Sequence, residues 1–254
     1  MEKKSSKGKS IFIFIGLILV IFAIVIGYLV VGDLKQEDLL KKEIVNVSNK
    51  DLLTDSYDIE VKTTGDYAYI EEAVKKYYKK LSDNVKIINN YLNDEDLIYI
   101  LSAENLQSDG PKFEKSYQIL KETKEKSTLA LQNIIDLCKE DTIKDLIDKE
   151  KVDDYSYDLY LELMYTEDDL EVFAKTQSEM QTISDNLNVF LNKVEEMIKM
   201  LENNSDYWYI EDGQLYFETD DLVNQYNRLY NELNVFVKEK FSEYADNNDI
   251  QNNI

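Results

Sequence analysis

Beyond residue 32 this chain contains almost nothing that stops a helix. Its only proline is Pro111, and the glycines there are Gly65, Gly110 and Gly213. Proline and glycine interrupt helices at the greatest cost, so their scarcity constrains the fold towards long helices. The three glycines fall between segments of regular apolar spacing, where turns are expected.

Four segments carry that spacing. The first runs from about Asp66 to Leu92, with Ile70, Val74, Tyr77, Leu81, Val85, Ile88 and Leu92 on one stripe. Thr63 or Thr64 is its expected N-cap, and Glu71 and Glu72 suit the helix dipole. The second runs from about Pro111 to Cys138 through Phe113, Tyr117, Leu120, Ser127, Leu131, Ile134 and Cys138, with Lys124 as an exception. Pro111 reads as a first-turn residue. The third, Glu167 to Glu202, keeps Leu170, Phe173, Gln177, Met180, Leu187, Phe190, Val194, Met197 and Leu201 near a 3.5-residue period, and Thr166 precedes three acids. The fourth, about Asp220 to Tyr244, aligns Leu222, Tyr226, Leu229, Leu233, Phe236 and Phe241 behind a Thr219 cap. Shorter helical pieces are expected at 94–101, 141–149 and 153–165. With compact connections, an antiparallel four-helix-type bundle is the expected plan.

Two segments break the helical pattern. Residues 58–62 alternate like a short strand. Residues 207–217 read as a β-hairpin, because Asp212-Gly213 sits between two aromatic, β-favouring runs. An isolated hairpin is marginal in water, so this one is expected to pack on the helices.

The N-terminus has a different character. Residues 11–31 read IFIFIGLILVIFAIVIGYLVV, without a charge, behind Lys3, Lys4, Lys7 and Lys9. A helix of this length spans the ~30 Å hydrocarbon core of a bilayer. The lysines place residues 1–10 in the cytoplasm and the bulk of the chain outside, at the cell membrane. A cleaved signal peptide is the rival reading, with Val30-Val31-Gly32 as a tolerable cleavage match. Its apolar core would normally be shorter, about 7–15 residues. The expected organisation is therefore a basic tail at 1–10, a transmembrane helix at 11–31 and a stalk or linker at 32–62, polar and partly helical over 33–57. A helical bundle at 63–245 and a disordered tail at 246–254 follow.

Composition then narrows the function. The chain has 29 basic and 51 acidic residues, no His and one Cys, Cys138. Without His, imidazole general-base catalysis, His metal sites and Ser-His-Asp or Cys-His machinery are excluded. With a single Cys, intramolecular disulfides and Cys-rich metal sites are excluded as well. The net charge of −22 argues against nucleic acid, which is bound through clustered Lys and Arg. It divides into +3 for residues 1–10 and −25 for the remainder.

Paired carboxylates are frequent: Asp94/Glu95/Asp96, Asp153/Asp154, Glu167/Asp168/Asp169 and Asp220/Asp221. Most stand where helices should start, so capping outweighs a calcium or acid–base role. Aromatic groups are the other candidates. Tyr155, Tyr157, Tyr160 and Tyr165 form one group. Tyr207, Trp208, Tyr209, Tyr216 and Phe217 form the second, the expected partner-contact residues. Trp208 is expected either to cover the core or to touch a partner. Cys138, on an apolar stripe, reads as a small buried hydrophobe.

Thr63-Thr64-Gly65-Asp66-Tyr67, the joint from Leu101-Ser-Ala-Glu-Asn105 to Asp109-Gly-Pro111, and Asp158-Leu-Tyr-Leu-Glu-Leu-Met164 carry a resemblance. With the N-terminal layout, the chain resembles single-pass membrane-anchored helical-bundle proteins of low-GC Gram-positive bacteria. That resemblance implies an anchored extracytoplasmic bundle and brings no activity. The sequence-based expectation is a non-enzymatic binding module at the cell envelope, with an envelope protein as partner. The alternative is a sensor domain for a small molecule, a cation or a cell-wall polymer. No catalytic, cofactor or metal site is expected, no nucleic-acid partner either, and the oligomeric state stays open.

Overall fold

The computed structural model describes residues 35–246. The chain is mostly helical. Helix α1 spans Lys35–Ser48, α2 Asp66–Leu92, α3 Glu95–Ile98, α4 Ala103–Asp109 and α5 Glu114–Leu137. After these come α6 Glu140–Lys144, α7 Asp154–Met164, α8 Glu167–Asn203 and α9 Asp220–Asp246. Between α8 and α9 lies one antiparallel hairpin, β1 Trp208–Glu211 and β2 Gln214–Phe217.

Helix starts follow the acids and hydroxyls that precede them. Asp94 accepts the Asp96 N–H at 2.8 Å, Asp153 the Ser156 N–H at 2.7 Å and Ser102 the Asn105 N–H at 3.2 Å. At α8 the Asp169 carboxylate reaches back to the Thr166 N–H at 2.8 Å and its hydroxyl at 2.6 Å. These bonds satisfy N–H groups that a helix terminus leaves unpaired. Helix α5 begins later than Pro111. Gly110–Pro111 is a cis peptide, and Phe113 turns the chain at φ 53°. The cap there is Asp109, which accepts from Lys115 N–H at 3.1 Å and Ser116 N–H at 2.7 Å.

Among the described residues no helix is long and apolar enough to cross a membrane. The expected plan of a transmembrane helix ahead of a bundle, and with it the placement at the cell membrane, is corrected by that finding. The run at 11–31 lies outside the described residues. Each long described helix instead pairs a buried stripe with a charged face. On α2, buried Leu81 and Val85 stand beside an exposed Lys79–Asp83 ion pair. A hydrocarbon core would not accept that face.

The expectation of a single four-helix unit also gives way, because the chain forms two compact units. The dividing lines fall inside α2, α5 and α8. One unit contains the described residues 35–88 and 130–182. Its core includes Leu40, Ile44 and Val47 of α1, Ile70, Val74, Tyr77 and Leu81 of α2, and Tyr160 of α7. The segment expected as a stalk therefore carries a buried face of its own. Residues 58–62, expected as a strand, form no ladder, and the N–H groups of Lys62 and Thr63 donate to Glu71 instead.

The other unit contains residues 89–129 and 183–246. Leu106, Phe113, Leu120, Leu191, Met197 and Leu201 are buried in it. Tyr117 Oη donates to Glu202 at 2.6 Å, tying α5 to the end of α8. The hairpin belongs to this unit, with β1 beside α4 and β2 beside α9.

Candidate functional site

The hairpin is built on its two-residue turn. Asp212 and Gly213 have φ of 50° and 73°, the left-handed pair that a tight hairpin needs. The register pairs Trp208 with Phe217, Tyr209 with Tyr216, Ile210 with Leu215 and Glu211 with Gln214. Side chains alternate across a strand, so Trp208, Ile210, Leu215 and Phe217 share the half-buried inner face. Tyr209, Glu211, Gln214 and Tyr216 share the outer one.

The inner face is fixed by Trp208. Its ring stacks on Phe113 with centroids 6.0 Å apart and planes at 23°. Its Nε1–H donates to the Leu201 carbonyl at 2.8 Å, in the last turn of α8. Gly110 makes the approach possible: a Cβ there would lie 2.5 Å from the Leu106 carbonyl oxygen and 3.0 Å from Trp208. Phe217 packs against Tyr226 of α9 at 5.4 Å, and Tyr226 stacks on Tyr230 at 6.3 Å. The hairpin is thus gripped by Phe113 just ahead of α5, by α8 and by α9 within its unit.

The outer face is open. Tyr209 and Tyr216 stack at 5.5 Å with planes at 17°, and stay 48% and 38% exposed. Tyr207, just before β1, is 51% exposed. Of the five expected contact residues, three therefore present rings to solvent, while Trp208 and Phe217 act as mounts beneath them. Beside β1 on the α4 side lies a cleft of about 250 Å³, lined among others by Gln107, Pro111, Asp206 and Trp208. A larger open groove of about 660 Å³ runs along α9 past Lys193, Asn227, Arg228 and Val235.

The second tyrosine group does not form a platform. Tyr160 is fully buried and donates to the Ile143 carbonyl at 2.6 Å. Tyr155 and Tyr165 donate to Glu37 at 3.4 Å and Glu140 at 3.2 Å, and Lys149 sits 4.7 Å from the Tyr157 ring centre.

Sequence reasoning missed one cluster. Glu71 is completely buried, and Glu43 nearly so. Lys75 Nζ lies 2.6 Å from Glu71 and 3.2 Å from Glu43, and also donates to the Glu60 carbonyl at 2.6 Å. Lys62 reaches Glu43 at 2.8 Å. Burial raises both carboxyls, but the lysine contacts, joined at Glu71 by hydrogen bonds from Thr63 and the Lys62 N–H, outweigh it and hold them below the usual range. Burial lowers the Lys75 ammonium, and the two carboxylates more than reverse that. Glu43, Glu71 and Lys75, so matched, hold their charges near neutrality. The cluster ties α1, α2 and the 58–63 segment together. The Glu71–Lys75 spacing of four was the readable signal, although that spacing is usually a surface pair.

Cys138 is buried, and burial pushes its thiol up to about 12, so it offers no thiolate at neutral pH. Among the described residues no group of three or more His, Cys, Asp or Glu side chains is placed to hold a metal ion. No protein-family model, curated protein or solved structure matches this chain, so the resemblance drawn from its short phrases stands without support and the site rests on its own geometry.

Proposed function

We propose that this chain works by binding, as a helical interaction module whose contact surface is the outer face of its β-hairpin. The observation that carries this is the stacked Tyr209–Tyr216 pair, held in solvent on a hairpin clamped from below. Large aromatic rings on a rigid mount supply contact area at low entropy cost, which is why they dominate binding energetics at interfaces. The reading is non-enzymatic. Glu43 and Glu71, buried in the other unit, support it, because each is already matched by lysine.

A photo-cross-linking residue at Gln214, beside the two rings on the outer face, tests it in the cell that makes the protein. A discrete adduct at 214 is expected, diminished by Tyr209→Ser together with Tyr216→Ser. The same probe at exposed Glu150 in the other unit should give none. Identical adducts at 214 and 150, or an adduct indifferent to the two tyrosines, would sink the reading.

A further inference from the structure

The surroundings of the two rings identify the chemistry of what docks there. Residues 203–227 contain six carboxylates and no lysine or arginine. All six (Asp206, Glu211, Asp212, Glu218, Asp220 and Asp221) are exposed. None is in an ion pair with another described residue. Elsewhere the chain does pair its acids, as at Lys79–Asp83, Lys144–Glu140 and Lys199–Glu195. The segment that carries the aromatic face therefore brings six exposed acids and no cation of its own. Glu211 shares that face with Tyr209 and Tyr216.

We infer that the hairpin docks a lysine- or arginine-rich protein segment, whose cationic side chains lie over the Tyr209 and Tyr216 rings and against the Glu211, Asp212 and Glu218 carboxylates. An aromatic face attracts a cation through its quadrupole, and a neighbouring carboxylate adds to the same pull. A second copy of this chain is a poor occupant, because two chains of net charge −22 repel and neither hairpin brings a cation to the other. An anionic or purely apolar segment would leave the carboxylates without counter-charge. This inference rests on the hairpin being the contact surface and adds the class of partner.

Fluorescence anisotropy with the full chain and three labelled peptides of equal length separates the two claims. The peptides alternate Lys with Ser, Glu with Ser, and Leu with Ser. Only the lysine peptide should bind, and more weakly as salt rises. Tyr209→Ser with Tyr216→Ser should weaken it about tenfold, the loss expected for two exposed cation–ring contacts. Glu211→Gln with Asp212→Asn should weaken it several-fold and flatten the salt dependence. Asn tolerates the left-handed turn position, so the hairpin is kept. Glu104→Gln with Glu150→Gln should change nothing, and Trp208 fluorescence checks that every variant retains its mount.

Equal lysine-peptide binding by all variants would overturn the inference, since diffuse charge alone would then be at work. Tyrosine-dependent binding of the leucine peptide would overturn it while leaving the hairpin as contact surface. Absence of lysine-peptide binding alongside a Gln214 cross-link would do the same. Loss of both the peptide signal and the cross-link would remove the functional reading as well.

Discussion

Glu71 and Lys75 face each other one turn apart on α2, almost entirely out of water. An ion pair in that position is weak support for stability in itself, because desolvation opposes its attraction. Breaking it is another matter. Lys75→Met leaves Glu71 and Glu43 sharing a buried corner with only Lys62 nearby, and should cost about 3–5 kcal/mol. Lys76→Met removes an exposed pair with Glu72 one residue along, and should cost about 0.5 kcal/mol or less. Urea unfolding midpoints of the two variants check the contrast; similar losses would refute it. The same cluster sets a pH dependence. The Glu71 and Glu43 carboxyls are lowered in the folded chain, so their stabilisation is complete above their ordinary value of 4.5 and lost as pH falls below it. Lys75 is raised, so its share is complete below its ordinary 10.5 and lost as pH climbs above that. Thermal midpoints measured from pH 3 to 11 should fall at both ends for the wild type. The acid-side fall should shrink in Glu71→Gln.

The hairpin shows which parts of the architecture a sequence discloses. Asp212-Gly213 specifies a two-residue turn, that turn specifies the register, and the register decides which side chains share a face. Which face turns inward is a separate matter. Trp208 and Tyr209 are both large aromatics, and nothing local distinguishes them. The choice is made by Phe113, Gly110 and the Leu201 carbonyl, far away along the chain. Most bounds of the long helices were legible for the opposite reason, since their stripes are local; the start of α5 was not, because Asp109 and the turn at Phe113 set it. The buried face of helix α1 was hidden because Leu40, Ile44 and Val47 lie among lysines and glutamates, one of which, Glu43, is itself buried. The turn yields a direct test. Gly213 sits at φ 73° with nothing near the position a Cβ would take. Gly213→Ala therefore clashes only with its own backbone and should cost about 1–2 kcal/mol. The loss should be read as reduced near-ultraviolet circular dichroism from the Tyr209–Tyr216 stack, with helical signal unchanged. A full-strength aromatic signal in the variant would show that the turn does not hold the pair.

Charge acts on the chain as a whole. A net charge of −22 on 254 residues opposes any compact state, because folding brings like charges closer together. The described ion pairs offset this only in part. Most are exposed contacts such as Lys79–Asp83 and Lys199–Glu195, each worth a fraction of a kcal/mol. Salt weakens both effects, but unequally. Repulsion is summed over many distant pairs and is screened strongly once the Debye length falls to about 10 Å near 0.1 M. The short contacts lose less, and the buried Glu71–Lys75–Glu43 cluster loses least. The sign follows: raising sodium chloride from low millimolar to physiological concentration should raise the thermal midpoint, by a few degrees if about 1 kcal/mol of repulsion is removed. Circular dichroism melts at constant pH and rising salt measure it. The rise should flatten once repulsion is screened, and Lys75→Met should show the same salt slope from a lower start. A midpoint that falls with salt would mean that the exposed ion pairs outweigh the repulsion.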